Sequence, residues 1–282
     1  MEVSTFELLV KRIAPPPADP AVARRVVQGY FLTMSNLEDK EFLYTLDFHI
    51  SLPTPPDADR TLAGNSIVLL DIAGANQVLT LAPSTATVST TRFSTSFRLG
   101  AKQTASLQLL PNINNPALLT NPNPDLEVRG FVQLRLPAVF GSPSGLFPVF
   151  QRVPQSDRPV KVLLNPETRG TFLPNSFPGS GGDFDQINYP LELASGKGLN
   201  EIKPEPGGPI FRLPQERIPG LIEQLPLRER PIIDFVTLSE EDRTAALVET
   251  ISQIEPTEEN LQNVSDLLSK LEVPIAMELV QQ

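Results

Sequence analysis

The sequence predicts a mainly β protein: an antiparallel β-sandwich, then a Pro-rich extended or irregular middle region, then a small C-terminal α-helical hairpin. Three observations carry that expectation. Two long stretches before residue 137 alternate apolar and polar residues with period two. Proline then becomes dense, with 16 among the 95 residues from Pro137 to Pro231. After Ser239 the apolar residues take up helical spacing, in a stretch to Gln282 that holds 10 acidic and 2 basic side chains. The expected divisions are 1–136, 137–236 and 237–282.

The first clear strand is Phe42, Tyr44, Leu46, Phe48, Ile50 and Leu52, with Thr45, Asp47, His49 and Ser51 on the other side. Such alternation marks a strand with one buried face. The second is Leu126, Val128, Gly130, Val132, Leu134 and Leu136, opposed by Glu127, Arg129, Phe131, Gln133 and Arg135. Shorter strands are expected at 66–72, 76–81, 85–99 and 103–110. Turn residues at Ala63-Gly64-Asn65, Gly74-Ala75-Asn76 and Leu99-Gly100-Ala101 separate them. Many closely spaced strands without intervening helices imply an antiparallel sandwich or barrel. The run Gly29 to Asn36, a charged turn and Phe42 to Leu52 resemble the opening strands of an immunoglobulin-like sandwich. That resemblance implies a fold and carries no activity.

The middle region is punctuated by Pro and Gly yet rich in apolar groups, among them Val139-Phe140, Leu146-Phe147, Val162-Leu163-Leu164, Phe172-Leu173 and Ile210-Phe211. A solvated linker does not carry so many large apolar side chains. Short strands and an extended arm are expected, packed on the sandwich or on another subunit. Ser239-Glu240-Glu241-Asp242 then resembles a helix capping box, and Leu247, Val248, Ile251 and Ile254 share a helical face. Pro256 stops that helix, and Leu261, Val264, Leu268 and Leu271 form a narrow seam on the next. Helices of about four turns are marginal alone, so both seams require a partner.

Composition excludes several chemistries. The 282 residues include no Cys, no Trp and one His, with a formal net charge of −10. Thiolate metal sites, cysteine nucleophiles, disulfides and histidine-rich metal centres are therefore absent. An acidic chain without a lysine cluster argues against nucleic-acid partners, whose phosphates supply most of such affinity. The N-terminus lacks the order of a secretory signal, and no window approaches the ~20 apolar residues of a membrane span. A cytoplasmic protein without a cofactor is expected.

Few residues invite a catalytic reading. Asp47 and His49 share a strand face, as a polar site or as a solvated surface. Ser180 lies in Pro178-Gly179-Ser180-Gly181-Gly182 but lacks the G-x-S-x-G elbow. Asp183 and Asp185 follow a Gly pair without EF-hand spacing, so calcium is an open question there. No P-loop and no G-x-G-x-x-G opens a helix. Arg129, Phe131 and Arg135 share a strand face on which a large aromatic argues for cover by the middle region or by a partner.

The expected function is therefore a non-enzymatic structural or assembly protein acting through protein–protein contacts, as a homo-oligomer or part of a larger assembly. Its expected partner surface is Arg129, Phe131 and Arg135 together with the seam Leu261, Val264, Leu268 and Leu271. The alternative is a soluble β-sandwich binding module for a peptide, glycan or small apolar ligand. A carboxylate hydrolase would require a cleft with two carboxylates about 5–9 Å apart.

Overall fold

The computed structural model describes residues 1–14, 24–84, 90–112, 114–115, 118, 121, 123–141, 149–173, 185–208 and 210–212. The protein is mainly β. In chain order the strands are β1 (Glu2–Arg12), β2 (Arg25–Asn36), β3 (Phe42–Ile50), β4 (Ser66–Ile72), β5 (Ala75–Leu79), β6 (Ala82–Pro83), β7 (Arg92–Leu99) and β8 (Thr104–Pro111). They continue with β9 (Asp125–Arg135), β10 (Val139–Gly141), β11 (Val149–Val153), β12 (Val160–Leu173), β13 (Asp185–Pro190), β14 (Leu199–Ile202) and β15 (Ile210–Arg212). A 3-10 turn, Ala58–Arg60, is capped by the Asp57 carboxylate. The expected helical hairpin lies outside the described residues, as do positions 85–89 of the expected 85–99 strand.

Two compact units form. One joins Met1–Arg135 with Pro159–Lys203; the other joins Leu136–Arg158 with Pro204–Gln282. In the second unit β11 pairs antiparallel with β10 and β15. Its described residues also tie Gln155 Nε2 to the Pro137 carbonyl at 2.8 Å.

The first unit is one open, curled antiparallel sheet of twelve strands, a half-barrel. β2 organises it. One edge of β2 pairs with β12 along its whole length, Arg25 to Asn36. The other edge is shared. Residues Arg25 to Gln28 pair with β1, and residues Tyr30 to Ser35 pair with β8. From this fork one branch runs β1-β9-β3-β7-β6 and the other runs β8-β4-β5. Gly29 stands at the fork, because a Cβ there would meet Leu110 Cδ2 at 2.7 Å and the Leu109 carbonyl oxygen at 2.9 Å. The ladders thus do not resolve into the two separate sheets of an immunoglobulin-like sandwich. They run on through β1 and β2, and β2 is long enough to serve both β1 and β8 on one edge.

The core lies between the branches. Phe6, Tyr30 and Phe48 are at most 3% exposed and meet edge to face, with centroids 5.5–6.3 Å apart. Such pairs add about 0.5–1.5 kcal/mol each beyond the area they bury. Burial pushes the Tyr30 hydroxyl well above its ordinary pKa, while its contact with Ser4 Oγ at 3.1 Å opposes that shift. At the end of β2 the buried Asn36 closes the β7–β8 connection. Its amide donates to the carbonyls of Lys40, Leu99 and Gly100 at 2.8, 3.1 and 2.9 Å.

β12, β13 and β14, which composition assigns to the Pro-rich middle, complete this sheet. β12 alternates Val160, Val162, Leu164, Pro166, Thr168 and Gly170 inward. Pro166 is tolerated because its carbonyl, which accepts from Leu191 N–H at 2.9 Å, points to the β13 side. Its missing donor is therefore on the outer edge and not in the β2 ladder.

Candidate functional site

The residues singled out in the sequence fall on adjacent strands. β9 lies between β1 and β3. The register sets Phe131 beside His49, Gln133 beside Asp47 and Arg135 beside Thr45. Period two then places Arg129, Phe131 and Arg135 on one face with Asp47 and His49. Phe131 stacks on His49, with centroids 4.6 Å apart and planes 4° from parallel, and stays 42% exposed.

The sequence pattern places Asp47 on a solvated face. The structure corrects this: Leu43, Thr45 and Asp47 are all buried, so β3 is covered on both faces there. Asp47 Oδ2 accepts from Arg135 Nε at 2.5 Å, and Oδ1 accepts from Ser94 Oγ at 2.6 Å and Arg135 Nη2 at 3.1 Å. Burial alone would raise the Asp47 pKa. Hydrogen bonds from Arg135 and Ser94, with the charges of Arg135 and Arg92, outweigh it and hold the carboxyl below its ordinary value. The carboxylate is thus committed to Arg135 and Ser94 and does not orient His49. His49 Nε2 is shielded from solvent without a hydrogen-bond partner among the described residues.

Arg129 is likewise internally satisfied. Its Nε donates to Glu7 at 2.5 Å and its Nη2 lies 2.6 Å from Glu127. Glu127 also meets Lys11 at 2.5 Å, and Asp125 meets Lys11 at 3.5 Å and Arg60 at 3.0 Å. The result is a chain of three cations and three carboxylates along β1, β9 and the 3-10 turn that carries Arg60. Hydrogen bonding to Glu7 raises the Arg129 pKa, and the bond from Lys11 lowers that of Glu127. Such a face offers no surplus charge to an acidic ligand. Its unsatisfied element is the outer side of the Phe131 ring.

A second feature had no signal in the sequence pattern. Across β2, β12 and β13 the outer face holds a shallow groove of about 450 Å³. Gly29 and Gly170 lie in its floor, with Phe31, Leu110, Gln186 and Asn188 around it. The Arg169 guanidinium lies over the Phe31 ring, 4.3 Å from its centroid, and bonds Glu167 at 3.0 and 3.2 Å. No carboxylate lines the groove. Only the pairing of β2 with a strand 130 residues distant brings these residues together, which local periodicity cannot reveal.

Asp185 sits at the start of β13 with its carboxylate bonded to Arg24. Among the described residues no group of three or more His, Asp or Glu side chains is placed to hold a metal ion. Ser180, Asp183 and the seam Leu261, Val264, Leu268 and Leu271 lie outside the described residues. Among those residues no helix is long and apolar enough to cross a membrane. Comparison of the chain with protein-family models, curated proteins and solved structures finds no match to any of the three.

Proposed function

We propose that this chain is a non-enzymatic structural or assembly protein that acts through protein–protein contacts, as a scaffold, particle, sheath or filament component. The observation that supports this reading most directly is where the sheet leaves its large apolar side chains. Of the seven large hydrophobic residues exposed among the described residues, four lie along the edge formed by β12, β13 and β14, Leu163 and Leu199 on one face of the sheet and Ile187 and Tyr189 on the other. Leu163 and Leu199 are direct cross-strand partners, 44% and 52% exposed. Ile187 and Tyr189, on the adjoining edge strand, are 40% and 43% exposed. Scattered apolar residues require no explanation, but a rim of them on an open strand edge is the kind of surface that another chain covers. In this reading the two branches of the sheet serve as the layers of a sandwich, in the manner of the immunoglobulin-like resemblance.

Light scattering after gel filtration tests the proposal, with the full chain compared against a truncation ending at Phe235. A defined oligomer is expected for the full chain. Its reduction to monomer by the truncation would assign assembly to the acidic segment 236–282, and its persistence would assign assembly to the rest of the chain. A full chain that is monomeric at high concentration counts against the reading.

The binding-module alternative is favoured by the groove beneath Arg169, whose volume of about 450 Å³ suits a small ligand. Its rim amides, Gln186 and Asn188, and its apolar floor match a peptide or glycan better than an ion.

A further inference from the structure

Among the described residues β13 pairs with β12 alone. Its ladder matches Glu167 with Pro190, and the next position, Leu191, donates to the Pro166 carbonyl at 2.9 Å. In an antiparallel ladder successive residues alternate between exchanging backbone hydrogen bonds with the neighbour and turning both groups away. Asp185, Ile187 and Tyr189 therefore bond β12. Gln186 and Asn188 turn N–H and C=O to the open edge, where Pro190 adds a carbonyl only.

We propose that this edge pairs antiparallel with β13 of a second copy, across a two-fold axis at Ile187. The proposal rests on the assembly reading above and names the partner. The choice of axis follows from the backbone. An axis at Ile187 sets each Gln186 against the partner's Asn188, so both residues of each pair exchange both of their bonds. An axis at Asn188 would set Pro190 against Gln186 and lose a donor at each end. An axis at Gln186 would leave Asn188 facing beyond the start of the strand at Asp185.

The side chains agree with the same axis. Ile187 then meets its own copy in a non-hydrogen-bonded pair, where side chains approach most closely. Tyr189 faces the partner's Asp185, and the Gln186 and Asn188 amides lie together on the other face. The exposed surfaces of Ile187 and Tyr189 become covered. A closed two-fold contact of this kind is self-complementary, as homodimer interfaces are. Two six-residue edges bury less than a standard interface, so self-association of about micromolar strength or weaker is expected.

The absence of cysteine makes the test direct. Ile187→Cys, oxidised mildly, is expected to give a disulfide dimer as the main product. Gln186→Cys and Asn188→Cys are each expected to stay largely uncrosslinked alone and to crosslink when mixed. Asn188→Pro removes only a donor that faces the open edge, so the β12 ladder is retained, and self-association measured by sedimentation is expected to weaken about thirtyfold. The pairing is overturned if Ile187→Cys crosslinks no more than Gln186→Cys, or if Asn188→Pro leaves self-association unchanged. Sedimentation of the unmodified chain up to about millimolar concentration separates the two claims. Self-association without Ile187 crosslinking overturns the edge pairing and leaves the assembly reading standing. A chain that is monomeric throughout overturns both.

Discussion

Replacing Gly130 with alanine is expected to destabilise the protein by about 3–5 kcal/mol, which places it among the most severe single substitutions. Gly130 lies in the interior of β9, opposite Phe6 on β1 and Ile50 on β3. A Cβ at this position would stand 1.8 Å from the His49 carbonyl oxygen, 2.8 Å from the His49 carbonyl carbon and 3.0 Å from the Phe6 ring. The first two atoms are backbone of a central strand, so no rotamer change relieves the clash. Relief requires β3 to move away from β9, which breaks the ladder that buries Leu46 and Phe48. At about 2–4 °C per kcal/mol for a unit of this size, Tm should fall by about 6–20 °C, as read by calorimetry. A fall of under about 2 °C would show that the strands do not approach this closely. Gly64 is the control, because nothing lies within 4 Å of a Cβ built there, although its φ of +74° still favours glycine.

Asp47→Ala is the second large effect. It leaves the Arg135 guanidinium without its carboxylate in a site where the Asp47 side chain is 1% exposed. Breaking a buried pair from one side costs about 3–5 kcal/mol, and the 31% exposure of Arg135 sets the expectation at the lower end, about 3 kcal/mol. The double variant Asp47→Ala/Arg135→Met is expected to recover more than half of that loss, because it removes the stranded charge. A double variant no more stable than the single one would show that Ser94 and strand packing, not the ion pair, make the site.

The same carboxylate gives the protein an acid limit. Its folded pKa is held below the ordinary 3.8, so its contribution is complete above that value and is lost as pH falls through the lower folded value. Asp125 and Glu127 are lowered in the same sense and add to it. Urea midpoints should therefore decline as pH falls from about 4 to about 2, and the decline should be shallower in Asp47→Ala.

Two long strands of the first unit were legible from their apolar–polar alternation, whereas β1 was not read as a strand. The run from Leu126 to Leu134 alternates in burial as it does in sequence, while the run from Phe42 to Ile50 alternates in sequence but is buried on both faces. β12 was not legible as a long strand. Pro166, Thr168 and Gly170 occupy its inward positions, so its buried face carries little hydrophobic signal. The face bearing Asp47 and His49 was legible as a face but misread as solvated. A charge reads as exposed until its partner is known, and Arg135 stands 88 residues away.

The sequence alone determined the β class of the protein, the two long amphipathic strands, and the absence of thiol and multi-histidine chemistry. Each of these depends on residue type or on spacing within a few positions of the chain. Tertiary structure alone decided the fork at Gly29, the continuous curled sheet, the neutralisation of Arg129 and Arg135, and the edge of β13, which is unpaired among the described residues. Those depend on which strand lies beside which, and pairing between strands distant in the chain is set by the shared core and by close backbone approach, which no local pattern encodes.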